Sequence, residues 1–271
     1  MRLRGVILVL VLALAMLAGC RGGLKGIMHR ARPQQPAAKV SPEELYSRLT
    51  ARQGGLTAFA AKGRLTLISP QQNATGTALI KGKLPETLRV DVKDPLGRAV
   101  LSFFTDGQTV EVLFPRENKL FQGPATATNL AAFIPPGVKV SQALRLMVGD
   151  LPLSAGPPTR VQPGSGENTY VLEWQGQGGK LQERLWVTGA EVLPQKEEWY
   201  GADGQLAFSA EFGEFNQATP GRPQQIKLAT ATPNRVELRL TYREFTPNPS
   251  LTPADLALPR PPGVVVQPLK P

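Results

Sequence analysis

The chain has 271 residues, a formal net charge of +10, one cysteine and one histidine. So basic a chain invites a nucleic-acid reading, but Arg2, Arg4, Arg21, Lys25, Arg30, Arg32 and Lys39 supply +7 of that charge within 39 residues that contain no acid. Subtracting 7 from 10 leaves +3 for residues 40–271, where Lys and Arg are mixed with Asp and Glu as on an ordinary solvated face, and no nucleic-acid partner is expected.

The first element in chain order is apolar. Arg2 and Arg4 precede Val6–Ala18, an uncharged run of 13 residues. A spanning helix needs ~20 residues, so the run is too short for a permanent anchor and fits a signal peptide. Leu17-Ala18-Gly19-Cys20 closes it and matches a bacterial lipobox, the alternative being an ordinary secretory signal with a chance cysteine. The expected organisation is a signal peptide over 1–19, an acylated Cys20 opening a flexible basic tether over 20–40, and a folded domain over 41–271 with a proline-rich tail. Acylation of Cys20 leaves no thiol for a disulfide or a metal. Gly22, Gly23, Pro33 and Pro36 make the tether irregular. Its charge serves either to hold it near anionic lipid or simply to keep it soluble.

Ser41-Pro42-Glu43-Glu44 reads as a helix start, with Ser at the N-cap and Pro in the first turn. It predicts a helix over about 42–52, ended by Gly54-Gly55. From residue 58 the period changes to two. Phe59, Ala61, Gly63, Leu65 and Leu67 alternate with polar residues, as do Leu88, Val90 and Val92, and then Val110, Val112 and Phe114. Turn signals such as Ser69-Pro70, Asp94-Pro95-Leu96-Gly97 and Asp106-Gly107 separate them. Residues 128–149 break the pattern with two short helices, one over Asn129–Ile134 and one capped by Ser141. Strands resume after 168 and run to Tyr242, and the tail from Pro247 is proline-rich. The fold class is therefore mainly β: about ten or eleven strands in one antiparallel sheet curved on itself, with few helices. Ala61, Gly63, Gly76 and Ala78 are small for a filled core, so the curve either encloses an apolar cavity or is filled by the helices.

Chemistry is sparse. His29, in the tether, is the only histidine, which removes the usual general base and any histidine metal cluster. Glu197 and Glu198 are adjacent in a strand and point to opposite faces, so they cannot act on one bond. Gly164-Ser165-Gly166 and Gly176-Gln177-Gly178-Gly179 lack the strand-to-helix setting of a phosphate loop and read as hairpin turns. No catalytic residue, metal or cofactor is expected.

Several segments, in order, resemble the LolB outer-membrane lipoprotein receptors of the LolA/LolB superfamily. These are Lys62-Gly63-Arg64-Leu65, Asp94-Pro95-Leu96-Gly97, Ser141 to Pro152, Arg222 to Leu228, Arg235 to Tyr242, Asn248-Pro249 and Pro261-Pro262-Gly263-Val264. The resemblance spans about 41–265 and implies a half-barrel whose open side is covered by helices and whose apolar cavity takes lipoprotein acyl chains. The candidate cavity residues are the inward-facing Leu65, Leu67, Ala78, Ile80, Leu88, Val90, Val92, Val112, Phe114, Leu144 and Met147. The resemblance further implies an outer-membrane, periplasm-facing lipoprotein anchored through Cys20, acting as a monomer that receives cargo from a LolA-like periplasmic carrier. Leu96, with Pro95 and Gly97, would be the loop that engages outer-membrane lipid, the bland alternative being a turn leucine packed on a neighbour. A lipid-binding or structural envelope-assembly lipoprotein of the same fold is the other reading. Arg21 after Cys20 is not the Asp that retains lipoproteins in the inner membrane of some bacteria.

Overall fold

The computed structural model describes residues 41–271 apart from 71–72, 132, 135–137, 155, 167, 189–190, 216–218, 232–234 and 271. The signal segment, Cys20, the tether and His29 lie outside the described residues. The first helix, α1 (Pro42–Arg52), forms as its sequence dictates. Ser41 Oγ accepts from the Glu44 N–H at 3.1 Å, Glu43 and Glu44 occupy the first turn and Arg52 the last. Leu45 and Leu49, four apart, are fully buried on one face.

The strands are β1 (Ala58–Ile68), β2 (Asn73–Lys83), β3 (Thr87–Lys93), β4 (Ala99–Thr105), β5 (Thr109–Phe114) and β6 (Lys119–Pro124). Helices α2 (Ala127–Leu130) and α3 (Val140–Met147) follow. Then come β7 (Arg160–Pro163), β8 (Thr169–Gln175), β9 (Leu181–Thr188), β10 (Pro194–Tyr200), β11 (Leu206–Phe215), β12 (Pro223–Thr230) and β13 (Glu237–Pro247). The chain ends with α4 (Pro253–Leu256) and β14 (Val265–Pro268). All fourteen strands join one sheet in the order β14-β6-β5-β4-β3-β2-β1-β13-β12-β11-β10-β9-β8-β7. Pairing of β1 with β13 joins two runs of sequential hairpins, and β14 and β7 remain separate edges, so the sheet is curved but unclosed.

Three expectations are corrected here. Among the described residues the sheet has fourteen strands rather than ten or eleven; two of the added strands, β7 and β14, are short, carry prolines and lack two-residue alternation. It is not wholly antiparallel: β14 runs parallel to β6, with Val265 opposite Lys119. The short helices also shift. Thr126 Oγ1 caps α2, ahead of Asn129, and α3 begins after Lys139, whose N–H is met by Gln142 Oε1 at 2.9 Å, rather than at Ser141.

The proline-rich tail is part of the fold. α4 lies against the outer side of β2 and β3, where Asp255 pairs with Lys81 at 3.0 Å and Arg89 donates to the Asp255 carbonyl at 3.3 Å. Leu258 then packs with Leu113 and Leu120 in a second small core flanked by Phe104 and Val264. Having crossed that face, the chain arrives at the β6 edge already pointing along it, which is why the last pairing is parallel.

The main core lies on the concave face. Leu45, Leu49, Leu144 and Leu146 from α1 and α3 pack against inward residues of the sheet. Full burial of such a side chain is worth roughly 1.5–3 kcal/mol. Polar contacts fix the helix ends: Tyr242 Oη donates to the Met147 carbonyl at 2.6 Å, and Arg222 donates to the Val148 carbonyl at 2.8 Å while pairing with buried Asp150. Two small inward residues serve close approach rather than empty space. A Cβ on Gly63 would strike the Thr241 carbonyl, at the bulge where β1 shifts register against β13, and one on Gly82 would enter the Phe59 ring.

Candidate functional site

Register decides which side chains share the concave face. Leu65 opposes Gly76 and Leu240, Leu67 opposes Ala74 and Leu238, and Val92 opposes Ala78 and Leu101. With a period of two, Leu65, Leu67, Ala78, Ile80, Leu88, Val90, Val92, Val112 and Phe114 all point inward. The structure brings them onto one surface with Leu144 and Met147 of α3, in two groups. Ala78, Ile80, Leu88, Val112, Leu144 and Met147 are buried within the main core. Leu65, Leu67, Val90, Val92 and Phe114 are half-covered, as are neighbouring Leu101 and Leu238. The cover thins toward the strand ends where the β1–β2, β3–β4 and β5–β6 turns lie.

The β3–β4 turn at that end holds Leu96, which is 76% exposed. Its exposure is built by Asp94. The Asp94 carboxylate accepts from the N–H groups of Leu96 at 2.9 Å and Arg98 at 3.0 Å, and pairs with the guanidinium groups of Arg98 and Arg116. Pro95 suits the second turn position, Gly97 N–H donates to the Asp94 carbonyl at 2.9 Å, and Gly97 adopts φ +80° as the turn requires. Desolvation alone would raise the Asp94 carboxyl, but the Arg98 N–H and the two guanidiniums outweigh it and bring it down to about 2. Leu96 therefore stands out on a braced turn. Val265 and Val266, exposed on the adjoining edge strand, begin where Val265 N–H donates to the Asn118 carbonyl in the β5–β6 turn.

The groove between α1 and α3 is polar by contrast. Thr50, Gln53, Lys139, Gln142 and Arg145 line it together with Pro152 and Leu153. Gln53 and Arg145 join the two helices across it, Nη1 to Oε1 at 2.8 Å.

One feature of the concave face escaped the sequence reading. Glu197 does not act with its neighbour Glu198; it lies beside Glu183 of the next strand, both buried. The only signal was that each occupies an inward position in an otherwise apolar alternation. Among the described residues no cluster of three or more metal-ligating side chains occurs, and no helix is long and apolar enough to cross a membrane.

No protein-family model and no curated protein matches the chain. Solved structures do. A LolA superfamily protein from Nitrosomonas europaea aligns over 81% of this chain and 98% of its own, at 17% identity and TM-score 0.50. A domain named for outer membrane lipoprotein sorting, from Vibrio parahaemolyticus, aligns over 79% and 94%, at 14% identity and TM-score 0.53. A DUF1329 family protein from Desulfovibrio piger aligns over 80% and 95%, at 12% identity and TM-score 0.53. At these identities the likeness is one of backbone architecture: the chain has the curved, unclosed sheet of the LolA-superfamily fold.

Proposed function

We propose that this protein is an envelope lipoprotein, anchored through acylated Cys20, that holds acyl chains of lipids or lipoproteins on its concave face and passes them to a membrane through Leu96. One observation carries the reading: the apolar row is only half-covered toward the end of the sheet from which Leu96 protrudes. An acyl chain entering there meets Leu65, Leu67, Val90, Val92 and Phe114 without crossing the polar groove between the helices. Transfer needs no cofactor or covalent step, because a chain moves between apolar sites down a difference in affinity. Burying Leu96 in a bilayer would add roughly 2 kcal/mol to membrane contact, next to the cationic Arg98 and Arg116. Outer-membrane placement facing the periplasm, receipt of cargo from a soluble LolA-like carrier, and action as a monomer by binding rather than catalysis complete the proposal.

The test has two arms. Organic extraction of the purified chain should release bound acyl lipid, and Leu96→Glu should abolish delivery to vesicles while leaving that binding intact. A chain free of lipid, or transfer unaffected by Leu96→Glu, refutes the proposal. The burial of Ala78, Ile80, Leu88, Val112, Leu144 and Met147 by protein alone favours a second reading, a structural envelope lipoprotein whose core needs no ligand; absence of lipid together with normal lipoprotein sorting on depletion would select it.

A further inference from the structure

Trp199 opposes Glu183 and Leu185 opposes Glu197 across the β9–β10 ladder. Both glutamates therefore face the concave side, diagonal to each other. They are 2% and 1% exposed. Their cross-strand neighbours are Trp174 beside Glu183 and Ala210 beside Glu197. Each carboxyl has one satisfied oxygen. Glu183 Oε2 accepts from Ser154 N–H at 2.9 Å and Ser154 Oγ–H at 2.6 Å, and Glu197 Oε1 accepts from Trp199 Nε1–H at 3.0 Å. The remaining two oxygens, Glu183 Oε1 and Glu197 Oε2, are sealed from solvent and have no partner.

Among the described residues, no cation figures in what acts on them. On β8–β10, Arg184 and Lys196 point the other way and pair with Glu173 and Glu198. Tyr170 of β8 shares the concave face at the far end of the ladder, opposite Val187. From the covering side, α1 presents the Tyr46 hydroxyl near Ser154, and Asp150 is already paired with Arg222. Two ionised carboxylates in such a site repel and lose hydration together. A single proton between the two orphaned oxygens removes one charge and satisfies both atoms. The enclosure of both atoms leaves the proton as the fitting occupant. Burial raises both carboxyls, and the charge on Glu183 pushes Glu197 higher still.

We propose that Glu183 and Glu197 share one proton, carried on Glu197 Oε2 and donated to Glu183 Oε1, and that this proton clamps Ser154 and α1 over β8–β10. The clamp continues outward: Tyr46 Oη–H donates to the Ser154 carbonyl at 3.5 Å, Gly156 N–H donates to Tyr46 Oη at 3.2 Å, and Trp174 Nε1–H donates to the Gly156 carbonyl at 3.0 Å. When solvent base removes the proton, two adjacent negative charges are left in an apolar site, and water enters past Ser154 to hydrate them. The concave face on this side is thus closed by acid and loosened by base, whether or not the proposed lipid role holds.

The full chain, Glu197→Gln and Glu183→Gln are titrated from about pH 5 to about pH 9, with the infrared carbonyl band of a protonated carboxyl, tryptophan emission and Ser154 amide exchange as readouts. The wild type should show the band at neutral pH and lose it on alkalinisation, with a red shift of emission and faster Ser154 exchange. Glu197→Gln supplies an N–H where the shared proton stood, so the band and the pH dependence should vanish while the seam stays closed. Glu183→Gln keeps Glu197 buried but removes the charge beside it, so the band should be lost at a lower pH than in the wild type; a band that instead persists to higher pH than in the wild type overturns the proposal. Absence of the band from the wild type at neutral pH overturns the proposal, and that measurement needs no variant. A pH dependence that survives unchanged in Glu197→Gln overturns it as well.

Discussion

The two halves of the sheet that meet at β1 and β13 present different chemistry to the concave side. From β1 to β5 the inward row is apolar apart from Thr105, whose Oγ1 is satisfied by the Thr109 carbonyl at 2.7 Å. Charges in that half face outward, where Arg89 pairs with Asp91 and Lys81 with Asp255. In β9 and β10 the inward row is broken by two buried carboxyls. Apolar burial is indifferent to pH, whereas a buried carboxyl ties packing to protonation. The fold thus separates an apolar row from one that carries two buried carboxyls, using one sheet and one period.

The contrast can be broken or sharpened experimentally. The largest effect is expected where the loop after α3 meets the start of β12. Arg222→Ala removes the guanidinium paired with the buried Asp150 carboxylate, leaving only the nearby Arg52, and should cost about 3 kcal/mol, read by urea unfolding. Leu258→Ala in the second core should cost about 2 kcal/mol, the lower end for such a change because few neighbours surround the space it leaves; no change would mean that the tail is not part of the cooperative unit. Ile80→Val, in the apolar half, should cost about 0.5–1.5 kcal/mol by the same amount on either side of neutrality. The pH-dependent part of stability should instead follow Glu197. Its folded carboxyl lies above its usual 4.5, so its contribution is complete below that pH and is lost as pH rises through the folded value.

Asp94→Asn should have the smallest effect on global stability and the opposite pH sense. The Asp94 carboxyl titrates at about 2 rather than 3.8, so its contribution is present above pH 3.8 and lost as pH falls toward 2. Protection of the Leu96 and Arg98 amides, taken relative to the intrinsic exchange rate at each pH, should fall in the variant at neutral pH to the level of acidified wild type. Equal protection in variant and wild type at neutral pH would mean that Asp94 does not brace the turn.

Much of the architecture was legible because local rules agreed with tertiary outcome. Ser41, Pro42 and the glutamates marked α1 to the residue, and the alternation of Phe59 to Leu67 marked the inward face of β1. The Asp-Pro-Leu-Gly turn was recognisable because Asp, Pro and Gly each have a distinct reason to be there. The parallel β14 was not legible, because Val264, Val265 and Val266 do not alternate and their partner strand lies some 145 residues earlier in the chain, as the Asn118–Gly263 hydrogen bond shows. The small residues were legible only as small. Whether Gly63 leaves space or admits a carbonyl depends on a bulge that no periodicity reveals.

By itself the sequence determined which residues alternate, where α1 starts and where charge is absent, since those depend on nearest neighbours along the chain. It also set out Leu17-Ala18-Gly19-Cys20, on which the proposed anchor rests, and the turn that carries Leu96. Only the tertiary structure decided that Leu96 stands at the half-covered end of the apolar row, that the tail closes over the outer face, and that Glu183 and Glu197 share a site. Those facts rest on register between strands, and register is set by all the pairings of the sheet together. Glu197 stands fourteen residues after Glu183, and the β9–β10 hairpin folds that interval back until the two carboxyls lie side by side.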